Sequence, residues 1–209
     1  GGLTRALLAC GAAHVIAIER DRRCIAALDD LGRAYPGRLT VMEGDALEVD
    51  AAALTAARSD IQIVANLPYN IATRLLIKWL KQSEAFKSLT LMFQKEVARR
   101  LAAEPGSRAY GRLSIITQWR CQVNRLFDVQ PKAFVPPPKV TSSVVQLLPR
   151  PETLAPAPWP ELERVTAAAF GQRRKMLRGA LKSLVADPHA LLEAANIAPT
   201  ARAEELPVE

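Results

Sequence analysis

Ile61-Gln62-Ile63-Val64-Ala65-Asn66-Leu67-Pro68-Tyr69 is the stretch on which the reading of this chain turns. Residues 61–65 form an apolar run of strand length, bounded by polar and proline-containing sequence, which is the pattern of a buried strand. The run then gives way to an amide, a leucine, a proline and an aromatic ring. In open α/β sheets ligands bind at the carboxyl ends of the strands. Asn66 to Tyr69 therefore stand where such a sheet keeps its chemistry.

The sequence on either side supplies the rest of such a sheet. Upstream, residues 5–10 read as a helix stopped by Gly11, residues 14–18 as a strand ending at Glu19, residues 21–31 as a helix and residues 39–42 as a strand that runs into Glu43-Gly44-Asp45-Ala46-Leu47. Downstream, residues 71–81 have helical spacing, with Leu75, Leu76, Trp79 and Leu80 apolar. Residues 88–93 read as a strand and 96–103 as a helix stopped by Pro105-Gly106. Residues 104–112 read as a mobile loop, in which Arg108 and Arg112 either meet phosphates or keep the loop solvated. Residues 113–121 and 141–148 read as two more strands, an antiparallel pair at the sheet edge. Alternating helices and strands predict an α/β fold, a doubly wound, Rossmann-like sheet, over residues 1–150. The proline-rich run 149–160 reads as a linker to a small all-helical domain, residues 151–209, with helices over 161–185 and 190–195 and a capping box at Thr200 or a short final helix. In the first of those helices Arg174, Arg178 and Lys182 fall at i, i+4 and i+8 on one face, beside Arg173 and Lys175.

The residue types at the strand ends suggest a reaction. An exocyclic amine on a nucleobase is a poor nucleophile, because its lone pair is delocalised into the ring. The Asn66 side-chain carbonyl can accept one N–H and the Leu67 backbone carbonyl the other. Pro68 fixes its own φ and biases Leu67 toward extended geometry, so both acceptors are held in place beforehand. Tyr69 can stack on a base swung out of its helix. Glu19 follows a glycine turn at the spacing of an acceptor for ribose hydroxyls. Asp45 can bind the amino group of an adenine. Alone, either acid reads as a solvated loop residue. Their repetition at three successive strand ends, with Asn66, gives them weight.

Composition sets the bounds. The chain has 209 residues, 49% of them hydrophobic, which suffices for one sizeable domain and a small one. No apolar run approaches the ~20 residues of a membrane span. Cys10, Cys24 and Cys121 lack metal-type spacing and read as packed, reduced thiols of a cytoplasmic protein, while His14 and His189 lie far apart, so no metal site is expected. Net charge is +7 but uneven. Residues 1–73 hold 7 Lys/Arg against 9 Asp/Glu, residues 74–150 hold 14 against 4, and residues 151–209 hold 7 against 8. A slightly acidic first segment suits a cationic cofactor, and a basic middle beside Tyr69 suits a polyanionic RNA.

These residues resemble the S-adenosylmethionine-dependent methyltransferases of the ribosomal RNA adenine dimethylase family, most closely its bacterial small-subunit group, over essentially the whole chain. Further matching segments are Met92 to Arg100, Tyr110-Gly111-Arg112-Leu113-Ser114, Phe134-Val135-Pro136-Pro137-Pro138-Lys139-Val140-Thr141-Ser142-Ser143 and Phe170-Gly171-Gln172-Arg173-Arg174-Lys175-Met176-Leu177. The resemblance implies a Rossmann-like methyltransferase fold that transfers methyl groups to the amines of two adjacent adenosines in small-subunit ribosomal RNA. Gly1, Glu19, Asp45, Ala46 and Asn66 would bind S-adenosylmethionine. Asn66, Leu67, Pro68 and Tyr69 would orient the target amine, with Phe134 on the opposite face of the base. Arg108, Arg112, Lys139, Arg173, Arg174, Lys175, Arg178 and Lys182 would meet RNA in a pre-30S particle, the protein acting as a monomer. One departure stands out: the family's Gly-x-Gly-x-Gly turn is matched only from its last glycine, Gly1. The expectation is an N-terminally incomplete chain, lacking the first strand and a segment over the cofactor, and binding cofactor poorly. A large-subunit adenine methylase conferring antibiotic resistance shares the strand-end residues. A non-enzymatic ribosome-assembly factor is the reading from a different class, and a DNA amine methylase fits less well.

Overall fold

The computed structural model describes residues 1–55 and 60–209. Helix α1 (Gly2–Ala9) stops at Gly11, whose φ of +92° lies where L side chains are strained. Strand β1 (Val15–Glu19), helix α2 (Arg22–Ala34) and strand β2 (Leu39–Glu43) follow, and the strands pair in parallel with Glu19 opposite Glu43. Asp21 caps α2 by accepting from the Arg23 N–H. Strand β3 (Gln62–Asn66), helix α3 (Tyr69–Leu80) and strand β4 (Ser88–Gln94) repeat the unit, with Asn66 opposite Met92. Leu75, Leu76 and Leu80 of α3 bury against Leu89, Leu91 and Phe93 of β4 in the largest core cluster. Full burial of each such side chain is worth about 1.5–3 kcal/mol.

Helices α4 (Lys95–Leu101) and α5 (Arg112–Arg120) lead into strands β5 (Cys121–Val129) and β6 (Ser142–Pro149). Strand β6 runs antiparallel between β4 and β5, giving the order β3-β4-β6-β5. The expected antiparallel edge pair is present, but its first strand is shifted: residues 113–120 are helix, not strand. Ile115, Ile116 and Thr117 suggest a strand by propensity, yet Ser114 to Thr117 and Trp119 are all buried in α5. Two side-chain anchors hold the helix there. The Ser114 hydroxyl donates to the Arg100 carbonyl, and the Gln118 amide donates to the carbonyls of Leu101 and Ala103 at 3.0 and 2.8 Å. Tertiary packing overrides the weak local preference.

The expected Rossmann-like α/β arrangement is present, as two ladders. Strands β1 and β2 form a separate two-stranded ladder, and among the described residues neither β1 nor β3 has a strand on its other edge. The two ladders are joined instead by the segment after β2. Ala46, Leu47 and Ala51 pack into the main core, and the Lys78 ammonium of α3 donates to the carbonyls of Leu47 (2.7 Å) and Val49 (2.6 Å).

The carboxyl-terminal third is helical, as expected, but not one long helix. Helix α6 (Trp159–Gly171) ends before the polar run 172–175, and a single turn, α7 (Leu177–Ala180), follows after a break. Between Phe170 and Met176 there is no apolar side chain to bury, so a continued helix has no face to pack. The free amides of Leu177 and Arg178 donate to Ala201 and Pro199 instead. Arg174, Arg178 and Lys182 therefore do not share one helix face. Helix α8 (Pro188–Ala194) follows, then a 3-10 turn, Ala203–Glu205, preceded by Arg202 rather than capped at Thr200.

Two segments expected to be loose are fastened. The Trp119 indole donates to the Ala155 carbonyl at 2.7 Å and the Leu154 N–H to the Trp119 carbonyl, so the proline-rich run lies along α5. In the 104–112 loop, the Gly106 N–H donates to the Glu204 carbonyl at 2.6 Å, and the fully buried Tyr110 donates its hydroxyl to the Leu206 carbonyl at 2.9 Å. Of the thiols, only Cys121 is buried; Cys10 and Cys24 are exposed, against expectation. Burial pushes the Cys121 thiol up to about 12, so it stays protonated and inert.

Candidate active site at the strand carboxyl ends

Three successive strands deliver Glu19, Asp45 and Asn66. At the end of β1, Glu19 Oε1 accepts the N–H groups of Arg20 (2.8 Å) and Asp21 (2.9 Å), which fixes the carboxylate. Its second oxygen has no protein partner among the described residues. After β2, the Gly44 N–H donates to the Glu19 carbonyl at 3.0 Å and stitches the two strand ends together. Asp45 Oδ1 accepts the Leu47 N–H at 2.8 Å, and Arg20 reaches Oδ2 at 3.5 Å. The Ala46 N–H donates to nothing among the described residues. A fixed acceptor thus lies beside an unspent donor.

At the end of β3 the Asn66 side chain is exposed and forms no hydrogen bond among the described residues. Leu67 buries its side chain in the main core, 5% exposed, and this pins its backbone. Its carbonyl accepts no hydrogen bond among the described residues, whereas the next one, of Pro68, accepts from Ile71 and Ala72 and opens α3. Two oxygens on consecutive residues are therefore left unspent, and that of Leu67 is held. Tyr69, half-buried, shares a 2.7 Å hydrogen bond between its phenol and the hydroxyl of Ser142.

Phe134 is half-buried in the segment between β5 and β6, and its N–H closes a 3-10 turn on Pro131. Both ends of that segment are fastened. The Lys95 N–H donates to the Thr141 carbonyl at 2.9 Å, and Val129 pairs with Ser142. One residue back, Asp128 lies 2.5 Å from the Lys95 ammonium, accepts from the Ser143 hydroxyl, and meets Arg125. Hydrogen bonds from Lys95 first and Ser143 second hold its carboxyl down at about 2.

The basic residues fall into two kinds. Arg108, Arg112, Lys139, Arg174, Lys175, Arg178 and Lys182 are exposed. Arg173 is half-buried and committed within the chain: its Nε donates to Glu204 at 2.6 Å and its Nη2 to the Ser107 carbonyl at 3.1 Å. That pairing sets the turn 171–175, which lines a depression of about 360 Å³, beside the loop holding Arg108. Gly1 is the N-cap of α1, its carbonyl accepting from Arg5, and no hydrogen bond joins it to Glu19, Asp45 or Asn66. Among the described residues no group of His, Cys, Asp and Glu could hold a metal ion, and no helix is long and apolar enough to cross a membrane.

Sequence reasoning missed Lys78, Ser142 and the Lys95–Asp128 pair. Lys78 left a trace, an amine lodged between Ile77 and Trp79. Ser142 left none, because a serine at a strand start has no distinguishing pattern.

A Rossmann-like sheet with polar groups at three strand ends and an Asn-Leu-Pro-Tyr turn defines a methyltransferase fold. Comparison narrows this further. The profile of the family described as Ribosomal RNA adenine dimethylase matches residues 1–209, and the chain belongs to that family. It is 61% identical, over its whole length and 72% of the relative's, to Ribosomal RNA small subunit methyltransferase A of Rhodospirillum rubrum. The protein of the same name from Paramagnetospirillum magneticum is 63% identical, with 73% of its length covered. Among solved structures, a dimethyladenosine transferase from Plasmodium falciparum superposes with a TM-score of 0.84 at 29% identity, covering 99% of this chain and 82% of the other. The 23S rRNA methyltransferase ErmE superposes at 0.72 with 23% identity and the same coverage, a likeness of fold alone.

Proposed function

We propose that this chain transfers methyl groups from S-adenosylmethionine to the exocyclic amines of two adjacent adenosines in small-subunit ribosomal RNA. The observation that supports it most is the pair of unspent oxygens at Asn66 and Leu67, the second fixed by the buried Leu67 side chain. Each accepts one N–H of the amine, drawing the nitrogen toward tetrahedral geometry and freeing its lone pair. Tyr69 and Phe134 flank the base; each stacking contact offsets the cost of flipping by about 1–3 kcal/mol. The remaining strand ends suit the cofactor. Glu19 offers its second oxygen to ribose hydroxyls, while Asp45 and the Ala46 N–H match the amino group and ring nitrogen of an adenine edge. S-adenosylmethionine would supply a methyl group activated by its positively charged sulfur: the N–C bond would form as the S–C bond breaks to leave a neutral thioether, and the amine's proton would pass to water. The protein needs no strong base, because alignment does the work.

The names of the relatives above 60% identity favour the small subunit over the large. The basic middle, with Arg108, Arg112 and Lys139, and the turn with Arg174 and Lys175 form the RNA-facing surface, gripping phosphates and shape rather than sequence. Residues 151–209 serve that grip and residues 1–150 the chemistry. The protein acts as a monomer on a pre-30S particle in the cytoplasm. Asn66→Ala tests the core of this reading. It lowers methyl transfer by about 10²–10³-fold while RNA affinity stays within a few-fold. Equal loss of transfer and RNA binding contradicts the role given to Asn66.

A further inference from the structure

We infer that Ser142 is a positioning residue for the target base, acting through Tyr69; the inference rests on the reading just proposed. Ser142 is 0% exposed and sits at the first position of β6, where it is paired with Gln94 on one side and Val129 on the other. Its backbone is thus fixed by two strands. Its hydroxyl lies 2.7 Å from the phenol of Tyr69, 73 residues away in sequence.

The bond has a specific consequence. Tyr69 is the first residue of α3, and Pro68 before it sets the backbone. A stacking ring attached only at its Cα can still swing about χ1. With the phenol tip tied to Ser142, the ring is held at both ends and the direction of its long axis is set before a base arrives. Ser142 is also where the Phe134 segment rejoins the sheet. One buried hydroxyl therefore ties the ring on α3 to the strand start at which the Phe134 segment rejoins the sheet. Anchoring of this kind favours the aligned complex over loosely bound ones, so it acts on the rate more than on affinity.

The test is a double-mutant cycle of Ser142→Ala and Tyr69→Phe, assayed with S-adenosylmethionine and small-subunit particles lacking the modification. Each single change is expected to lower kcat about tenfold or more, with KM for the particle and the cofactor Kd unchanged within threefold. The double variant is expected to be no slower than either single one, because both remove the same bond. A wild-type kcat for Ser142→Ala, or losses that multiply in the double variant, overturns the inference. If Ser142→Ala does not fold, Tyr69→Phe breaks the bond from the half-exposed side, and a wild-type kcat there overturns it equally. Asn66→Ala, run alongside, separates the two levels. Full transfer by Asn66→Ala sinks the proposed function itself, whereas loss in Asn66→Ala with none in the cycle sinks only the role of Ser142.

Discussion

Replacing Lys78 with Met probes the joint between the two ladders. The ammonium donates to Leu47 and Val49 at 2.7 and 2.6 Å, with a longer contact to Ala46 at 3.4 Å. Methionine keeps most of the stem that packs beside Ile77 and removes the charge and its donors. A hydrogen bond from a charged group is worth about 1.5–3 kcal/mol, and the half-buried carbonyls left behind recover part of this from water. Two short bonds therefore give an expected loss of about 2–4 kcal/mol. In a chain of this size each kcal/mol moves Tm by about 2–4 °C, so a fall of roughly 4–16 °C is expected. The loss is also local. It loosens residues 46–49, and with them the Asp45 and Ala46 pair assigned to the cofactor adenine. Urea unfolding and calorimetry with S-adenosylmethionine read the two effects separately, and Kd is expected to rise along with the fall in stability. Unchanged stability refutes the account of the joint. Reduced stability with an unchanged Kd refutes the link from the joint to the cofactor site.

Two further outcomes follow from the charges. Asp128 has its carboxyl lowered to about 2 by the Lys95 and Ser143 hydrogen bonds, below the value it takes in an unfolded chain. Its stabilisation is therefore complete above about pH 4 and is lost as pH falls toward 2; Asp128→Asn should flatten the urea-stability profile in that window and nowhere above it. Arg174→Gln with Lys175→Gln should weaken RNA binding across sequences alike and reduce the slope of log K against log salt by about 1.4–1.8, measured by filter binding at several salt concentrations. A change confined to one RNA sequence would contradict a phosphate role.

The α/β framework and the positions of its strand-end residues were both legible in the sequence. Glu19, Asp45 and Asn66 were legible because polar residues recur at the ends of short apolar runs, and the structure places each at or just beyond its strand end. What failed had a different cause each time. Residues 113–120 hold a β-branched cluster, and only the buried anchors of Ser114 and Gln118 show why they coil. The basic i, i+4, i+8 pattern implied one helix face, but the polar run 172–175 has nothing to bury and the helix stops there. Arg173 looked like its neighbours, yet Glu204 and Ser107 occupy it. For α5 and for Arg173 a partner distant in sequence decides, and spacing does not encode distant partners.

Strand direction explains why these scattered residues share one end of the sheet. Had the last strand run parallel to β4, its connection would have crossed to the far end of the sheet, as parallel pairing requires. Because β6 is antiparallel to both neighbours, β5 runs the same way as β3 and β4, and the turn from β5 to β6 falls at their carboxyl ends. That turn holds Phe134 and closes at Ser142 and Lys95. The one reversal in an otherwise parallel arrangement thus returns an aromatic-bearing segment to the edge where Asn66 and Tyr69 already stand. A parallel sheet alone supplies one wall of polar strand ends. The hairpin supplies the second, which the base slot proposed above requires.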